Sequence, residues 1–138
     1  MSIEKQVELG TNFEPKFDSN GLITAISQDA KTGQILMTAF MNKEALDLTI
    51  KTGQAVFYSR SRKKLWKKGE ESGHTQKVRQ ILVDCDQDCL ILKVEVGQGQ
   101  CHVGYNSCFY RAVKKDNAGE LEFVAEKVYD PEKTYRKK

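Results

Sequence analysis

Residues 84–89 read DCDQDC and place three carboxylates and two thiols within six positions. On both sides of this stretch the chain alternates polar and apolar residues, as in KVRQILV and LILKVEV. Alternation with a period of two is typical of a half-buried strand, so residues 77–96 predict a strand, a tight bend and a second strand. The chain must therefore form a sheet in which one bend is crowded with metal-ligating side chains.

The rest of the chain predicts more strands than helices. GLITAIS and GQILMTAFM have strand composition, and the turn residues of QDAKTG between them predict a hairpin. NKEALDLTIKTG is expected to form a helix with Asn42 as its N-cap and Gly53 as its C-cap. QAVFYS, CFYRAV and LEFVAEKVY predict further short strands. The predicted fold class is strand-dominated α+β, with mostly antiparallel sheets and one clear helix.

Length and hydropathy limit the domain organisation and the location. The 138 residues suffice for one domain with its own core, so residues 1–138 are predicted to form a single domain with a flexible tail at 131–138. No apolar run approaches the roughly 20 residues of a membrane span, and the N-terminal MSIEKQVELG lacks the apolar region of a secretory signal. We expect a cytoplasmic protein without a membrane partner.

The aspartates predict a cation site. Asp84, Asp86 and Asp88 recur at every second residue, so in extended backbone their side chains project to one face. Crowded carboxylates repel one another unless a cation lies among them, and hard oxygen ligands suit Mg²⁺ or Ca²⁺. A solvated acidic turn is the alternative. An EF-hand is excluded, because Cys89 occupies the position that needs glycine and LILKVEV is strand-like.

The cysteines predict a second kind of metal site. Cys85, Cys89, Cys101 and Cys108 all lie within one short part of the chain, and in a reducing compartment metal binding or catalysis is favoured over disulfides. Their spacings match no standard zinc finger or ribbon. If Cys85, Cys101 and Cys108 bind one zinc, the fourth position is left for water, as in catalytic sites. Cys89 is interpreted as a small buried residue.

Histidines and a basic segment complete the candidate site. The chain contains two histidines, His74 and His102, and histidine suits proton transfer at neutral pH. The alternative is that each is a polar surface residue without a catalytic role. Segment 60–79 carries eight Lys or Arg residues against Glu70 and Glu71, and Trp66 lies among them. Such a mixture stacks bases and neutralises phosphates, on single-stranded nucleic acid or on a small nucleotide. The alternative is a solvated, irregular loop over residues 60–75 whose tryptophan packs on the core.

Three motifs together carry a family resemblance. LWKKGEESGHTQ, DCDQD and CHVGYNSCFYR, in this order and at these separations, resemble the phosphoribosyl-AMP cyclohydrolase family of histidine biosynthesis. The resemblance extends over residues 21–113. Members of the family open the adenine ring of phosphoribosyl-AMP by hydrolysis of its N1–C6 bond. The resemblance implies the ligand sets Cys85, Cys101 and Cys108 for Zn²⁺ and Asp84, Asp86 and Asp88 for Mg²⁺.

The resemblance also implies an intertwined homodimer that shares each zinc, Cys85 coming from one chain and the other two cysteines from its partner. His102 or His74 would move protons, and no nucleic acid would be bound. The residues expected to bind the substrate are Arg60, Arg62, Trp66, Lys68, Glu70, Ser72 and Arg111. The chain departs from the family at Val103 and Tyr105, where Thr and Arg are usual.

Two other functions remain open on the sequence. One is a zinc-stabilised nucleic-acid-binding module that uses the basic segment 60–79, for which metal removal would unfold the domain. The other is a related deaminase, which would release ammonia.

Overall fold

The structure is a computed structural model that describes residues 3–70, 73–96 and 100–131. Its elements, in chain order, are α1 (Ile3–Leu9), β1 (Ile23–Asp29), β2 (Ile35–Met41), α2 (Lys43–Thr52), β3 (Val56–Ser59), β4 (Lys64–Lys67), β5 (Lys77–Val83), β6 (Cys89–Glu95), β7 (Arg111–Val113) and β8 (Leu121–Phe123). Six strands form one sheet in the order β4-β3-β2-β1-β6-β5, and β7 pairs with β8 in a second sheet. The strand-dominated α+β class is confirmed.

The elements with local sequence signals form where they were predicted. β1 and β2 pair as an antiparallel hairpin, with Ile23 opposite Met41. The Asn42 side chain accepts a hydrogen bond from the Ala45 backbone N–H at 2.8 Å and so caps α2. Gly53 ends this helix in the left-handed conformation, with φ 74°, which costs glycine little. β5 and β6 run antiparallel on either side of the acidic turn, as predicted.

The structure corrects two expectations. The prediction of one clear helix was wrong, because α1 forms as a second helix near the N-terminus. The irregular loop predicted at 60–75 contains β4, which pairs with β3 and places Trp66 opposite Phe57. The sheets are mostly antiparallel, as predicted, with one parallel pairing between β1 and β6. Most of the predicted tail, residues 132–138, lies outside the described residues.

The core lies between the large sheet and α2. Helix α2 packs against β3 and buries Ala45, Leu46 and Thr49. The larger buried apolar side chains of the sheet are Ile23, Leu36, Met41, Phe57, Leu90, Leu92 and Val94. Each such side chain stabilises the fold by roughly 1.5–3 kcal/mol through its burial. None of the described helices has the length and apolarity that a membrane span requires.

Candidate active site

The three aspartates converge in a turn between β5 and β6. One carboxylate oxygen from each of Asp84, Asp86 and Asp88 lies within 4.8 Å of the others, and all three residues are exposed. The backbone turns here rather than staying extended, since Gln87 adopts a left-handed φ of 60°. Asp84 Oδ1 accepts hydrogen bonds from the backbone N–H groups of Asp88 at 2.9 Å and Cys89 at 3.1 Å. The turn, rather than strand alternation, therefore brings the carboxylates together.

The carboxylates share a hydrogen-bonded site that favours a cation. Hydrogen bonds with Asp86 and then Asp84 raise the pKa of Asp88 to about 6. For Asp84, burial raises the pKa, but hydrogen bonds from Asp88 and Cys89 outweigh it and the pKa is lowered. Asp88 therefore keeps its proton to a higher pH than Asp84 does, as is typical of carboxylates crowded without a counter-ion. Three hard oxygen donors fit Mg²⁺.

Gln87 is a residue of this turn that the sequence analysis missed. Its side chain is 4% exposed and accepts a hydrogen bond from the Glu14 N–H at 2.6 Å. Its amide donates to the carbonyls of Val7 and Asn12, each at 3.2 Å, and its own carbonyl accepts from the Lys16 N–H at 2.7 Å. Gln87 therefore ties the acidic turn to the N-terminal segment. A glutamine among aspartates carries no sequence signal for this role.

Two of the three predicted zinc ligands meet in the structure. Cys101 and Cys108 are close enough for the Cys101 thiol to influence the pKa of Cys108. Cys101 is buried, with 2% of its surface exposed. Cys108 is exposed and lines a cavity. Burial, followed by the neighbouring Cys101, raises the pKa of Cys108 to about 12, and Lys68 opposes this rise. A cation at these sulfurs would reverse the balance, because metal ligation needs thiolates.

Backbone contacts fix the positions of these two thiols. The Cys101 N–H donates to the Tyr105 carbonyl at 2.9 Å, and the Cys108 N–H donates to the Leu36 carbonyl on β2 at 2.7 Å. The hydroxyl of Tyr129 donates to the Cys101 carbonyl at 2.6 Å. Gly104, with φ 106°, closes the turn between them, where a Cβ would lie 2.6 Å from the Tyr129 carbonyl oxygen. Only glycine fits this position.

Cys85 lies apart from the other two predicted ligands. It is exposed in the acidic turn. Among the described residues, the aspartates are the one group of three candidate ligands that meets within a single chain, so Cys85 does not complete a site with Cys101 and Cys108 there. Cys89 is half-buried, and burial, followed by Asp84 and Asp88, raises its pKa.

A cavity of about 510 Å³ opens beside Cys108. Six residues predicted for the site line it: Arg62, Trp66, Lys68, Glu70, His102 and Cys108. Trp66 also packs on the core, with its ring centroid 5.0 Å from that of Phe57. Trp66 therefore both packs on the core and lines the cavity.

An adjoining open cleft of about 600 Å³ contains Arg60. Trp66 and Thr38 line both spaces and separate them. The Arg60 guanidinium lies 4.1 Å from the centre of the Phe40 ring. Ser59 and Ser61 also line the cleft, so it offers hydroxyls and one cation to a ligand.

Lys68 lies deeper than a surface phosphate-binding residue. Its side chain donates a hydrogen bond to the Gln100 carbonyl at 2.7 Å, and the residue is 8% exposed. Burial lowers the pKa of Lys68, and the neighbouring Cys108 and Cys101 oppose this shift. Gln100 and its partner Gln76 are buried polar residues that the sequence analysis did not identify.

Three predicted residues lie away from this cavity or cannot be located. His74 is half-buried and contacts the Tyr129 ring edge-on, with 5.0 Å between ring centroids. Arg111 lies on β7 with its guanidinium 5.1 Å from the centre of the Tyr110 ring. Neither lines the cavity. Ser72 lies outside the described residues.

Known proteins match this chain over nearly its whole length. The family model for phosphoribosyl-AMP cyclohydrolase matches residues 37–110, which include both cavities and all four cysteines. A phosphoribosyl-AMP cyclohydrolase of Rhodopseudomonas palustris (strain TIE-1) is 53% identical over 135 residues, which cover 95% of this chain and 89% of the relative. Another, of Methanococcoides burtonii, is 58% identical over 120 residues, which cover 87% of this chain and 94% of the relative. The resemblance expected from the three motifs is confirmed, and the chain belongs to the phosphoribosyl-AMP cyclohydrolase family.

Proposed function

We propose that this protein hydrolyses the N1–C6 bond of the adenine ring of phosphoribosyl-AMP, as a step of histidine biosynthesis in the cytoplasm. The observation that carries the proposal is the cavity in which a thiol, a histidine, a lysine and a tryptophan meet. Its volume of about 510 Å³ is within the range of small-molecule sites. Both relatives are phosphoribosyl-AMP cyclohydrolases, and phosphoribosyl-AMP is therefore the substrate proposed for this chain.

Cys101 and Cys108 would hold a zinc ion together with Cys85 of a second copy of the chain. Two observations support this set: the first two thiols lie close together, and the exposed Cys85 joins no three-ligand group with them within one chain. Zinc with three protein ligands supplies a Lewis acid and an open position at which water becomes nucleophilic. One zinc would belong to each subunit.

His102 is the better placed of the two histidines to move protons. It lines the same cavity as Cys108, whereas His74 contacts Tyr129. In the reaction the oxygen of water bonds to C6, the C6–N1 bond breaks, and N1 takes up a proton. The exocyclic amine stays on C6, so a carboxamide forms and no ammonia is released. His102 would remove the proton from water and deliver one to N1.

The remaining residues of the cavity would orient the substrate. Trp66 offers an aromatic wall for the purine, and Arg62 offers a cation for a phosphate. Glu70 adds a hydrogen-bond acceptor at the rim. Arg60, in the adjoining cleft, would contact the phosphate at the other end of the molecule. Asp84, Asp86 and Asp88 would hold Mg²⁺, which neutralises phosphate charge when bound.

A homodimer is part of this proposal. β7 and β8 expose Val113 and Leu121, which lie opposite each other, together with Phe123 on the same face of the hairpin. Exposed apolar side chains that lie together mark interaction surfaces. A second copy that covers this face would also be available to supply Cys85.

The test is to incubate the purified protein with phosphoribosyl-AMP, with and without a zinc chelator, and to record ultraviolet absorbance while ammonia is assayed in the same tube. Ring opening predicts a spectral change that the chelator prevents, without ammonia. Release of ammonia would instead identify a deaminase. Absence of any change with protein supplied with zinc and magnesium would contradict the proposal.

A further inference from the structure

Lys68 is a buried cation without a carboxylate partner among the described residues. Its backbone N–H donates to the Ala55 carbonyl at 3.0 Å, which anchors the residue just beyond β4. Its ammonium reaches the Gln100 carbonyl at 2.7 Å. Burying an ammonium is costly unless a charge balances it. Lys68 lines the same cavity as Cys108, and the carbonyl it contacts belongs to the residue before Cys101.

A chain of buried hydrogen bonds fixes this ammonium beside the thiols. The Ser27 hydroxyl on β1 donates to Gln76 Oε1 at 2.6 Å, and Gln76 Nε2 lies 3.2 Å from Gln100 Oε1. All three residues are buried. Because Gln100 directly precedes Cys101, the carbonyl that Lys68 contacts belongs to the peptide that leads into that cysteine. The large sheet thus sets the position of Lys68 relative to Cys101.

We infer that Lys68 is a positioning residue whose ammonium balances the negative charge of the three-cysteine metal site, and that it does not bind a substrate phosphate. The inference rests on the zinc site proposed above. Three thiolates and one Zn²⁺ carry a net charge of −1, and a centre so rich in thiolate is a weak Lewis acid. A neighbouring ammonium makes the local charge zero. It also draws electron density from the sulfurs, so the metal keeps more of its capacity to polarise water.

The test replaces Lys68 in the whole protein and measures how strongly the cysteine thiolates donate to a bound metal. Zinc is exchanged for Co²⁺, and the sulfur-to-cobalt charge-transfer absorption is measured for wild type, Lys68→Met and Lys68→Arg. Methionine has a similar length without the charge, so the sulfurs become better donors and the band is expected at longer wavelength. Zinc affinity is expected to fall about 10- to 100-fold. Lys68→Arg should keep both values near those of wild type.

A matched control is Lys31→Met, an exposed lysine between β1 and β2 that lines neither cavity. It removes the same charge and should leave the band and the zinc affinity unchanged. Circular dichroism establishes that each variant folds.

The outcomes separate this inference from the function it rests on. If wild type gives no sulfur-to-cobalt band, the zinc site itself is refuted and the role of Lys68 with it. If wild type gives the band but Lys68→Met leaves its wavelength and the zinc affinity unchanged, the inference alone is overturned. A raised KM for phosphoribosyl-AMP with an unchanged band would assign Lys68 to the phosphate.

Discussion

At the scale of single residues, opposing influences meet at the Cys108 thiol. Burial and Cys101 favour its protonated form, while Lys68 favours the thiolate. Binding of a metal cation to the Cys108 thiol must displace its proton, so metal affinity is expected to rise with pH. If the proposed zinc binds at these two thiols, loss of either one should release it.

The variant Cys108→Ser is expected to lose bound zinc, because a serine hydroxyl is a much poorer zinc ligand than a thiolate. Turnover of phosphoribosyl-AMP should then fall at least about 100-fold. The fold should persist, since the residue is exposed. Zinc content by atomic absorption and turnover by ultraviolet absorbance check the expectation. The control Cys89→Ser, on β6, should retain its zinc; equal loss of zinc in both variants would contradict the ligand set.

The two histidines are expected to separate in their effects. His102→Asn should lower kcat by about 100-fold or more, the usual contribution of a general acid or base, with zinc content unchanged. His74→Asn should have a smaller effect, because His74 contacts Tyr129, which in turn holds the Cys101 carbonyl. Turnover and zinc content of both variants are the measurements. If His74→Asn loses more kcat than His102→Asn, His74 and not His102 would be the residue that moves protons.

Tyr105 accounts for one departure from the family pattern. Its ring is 6% exposed and stacks on Tyr110 with 4.0 Å between centroids and 7° between planes. Phe123 of β8 lies 6.2 Å from it. Tyr105 therefore packs in an aromatic cluster, a role in which an aromatic ring replaces a charged side chain. The structure gives no comparable account of Val103.

At the scale of elements, the acidic turn depends on the segment before β1. Gln87 makes three side-chain hydrogen bonds to that segment and is buried beneath it. Its left-handed backbone turns the chain so that the three aspartates face one another. The N-terminal segment thus supports the geometry of the acidic turn.

The variant Gln87→Met keeps the volume of the side chain but loses these hydrogen bonds and leaves backbone groups unpaired. The free energy of unfolding is expected to fall by about 1–3 kcal/mol, and Mg²⁺ affinity should fall with it. Urea denaturation and titration calorimetry with Mg²⁺ measure the two effects. Gln80→Met, at an exposed position on β5, is the control. If Gln87→Met loses stability but keeps the Mg²⁺ affinity of wild type, the acidic turn holds its shape without the hydrogen bonds of Gln87.

Elements with local signals could be predicted, and those decided by distant partners could not. Asn42 and Gly53 mark the ends of α2 within the sequence itself. β4 is too short and too charged to show a period, and it forms because β3 offers it an edge. Likewise the candidate metal ligands could be predicted from residue type alone. The hydrogen bond between Lys68 and the Gln100 carbonyl could not, because it joins positions 32 residues apart. No sequence pattern reports such a contact.

At the scale of the whole molecule, the proposed site requires two copies of the chain. This predicts complementation between two inactive variants. Cys85→Ser and Cys108→Ser, mixed in equal amounts in urea and refolded together, should regain about one quarter of the activity of refolded wild type, because half of the dimers carry one intact site. Each variant refolded alone should stay inactive. Absence of recovery, with mixed dimers present by native mass spectrometry, would place all ligands within one chain.

The parallel pairing of β1 with β6 affects how the protein can be synthesised. Strands β4, β3, β2 and β1 are neighbours in this order in the sheet and leave the ribosome first. β6, which pairs with the free side of β1, begins 60 residues after β1 ends, from Asp29 to Cys89. Until then the nascent chain carries an unpaired β1 edge, a template for association with other chains. Slow translation of the segment before β6 would prolong that exposure, so codon choice there should influence the yield of native protein.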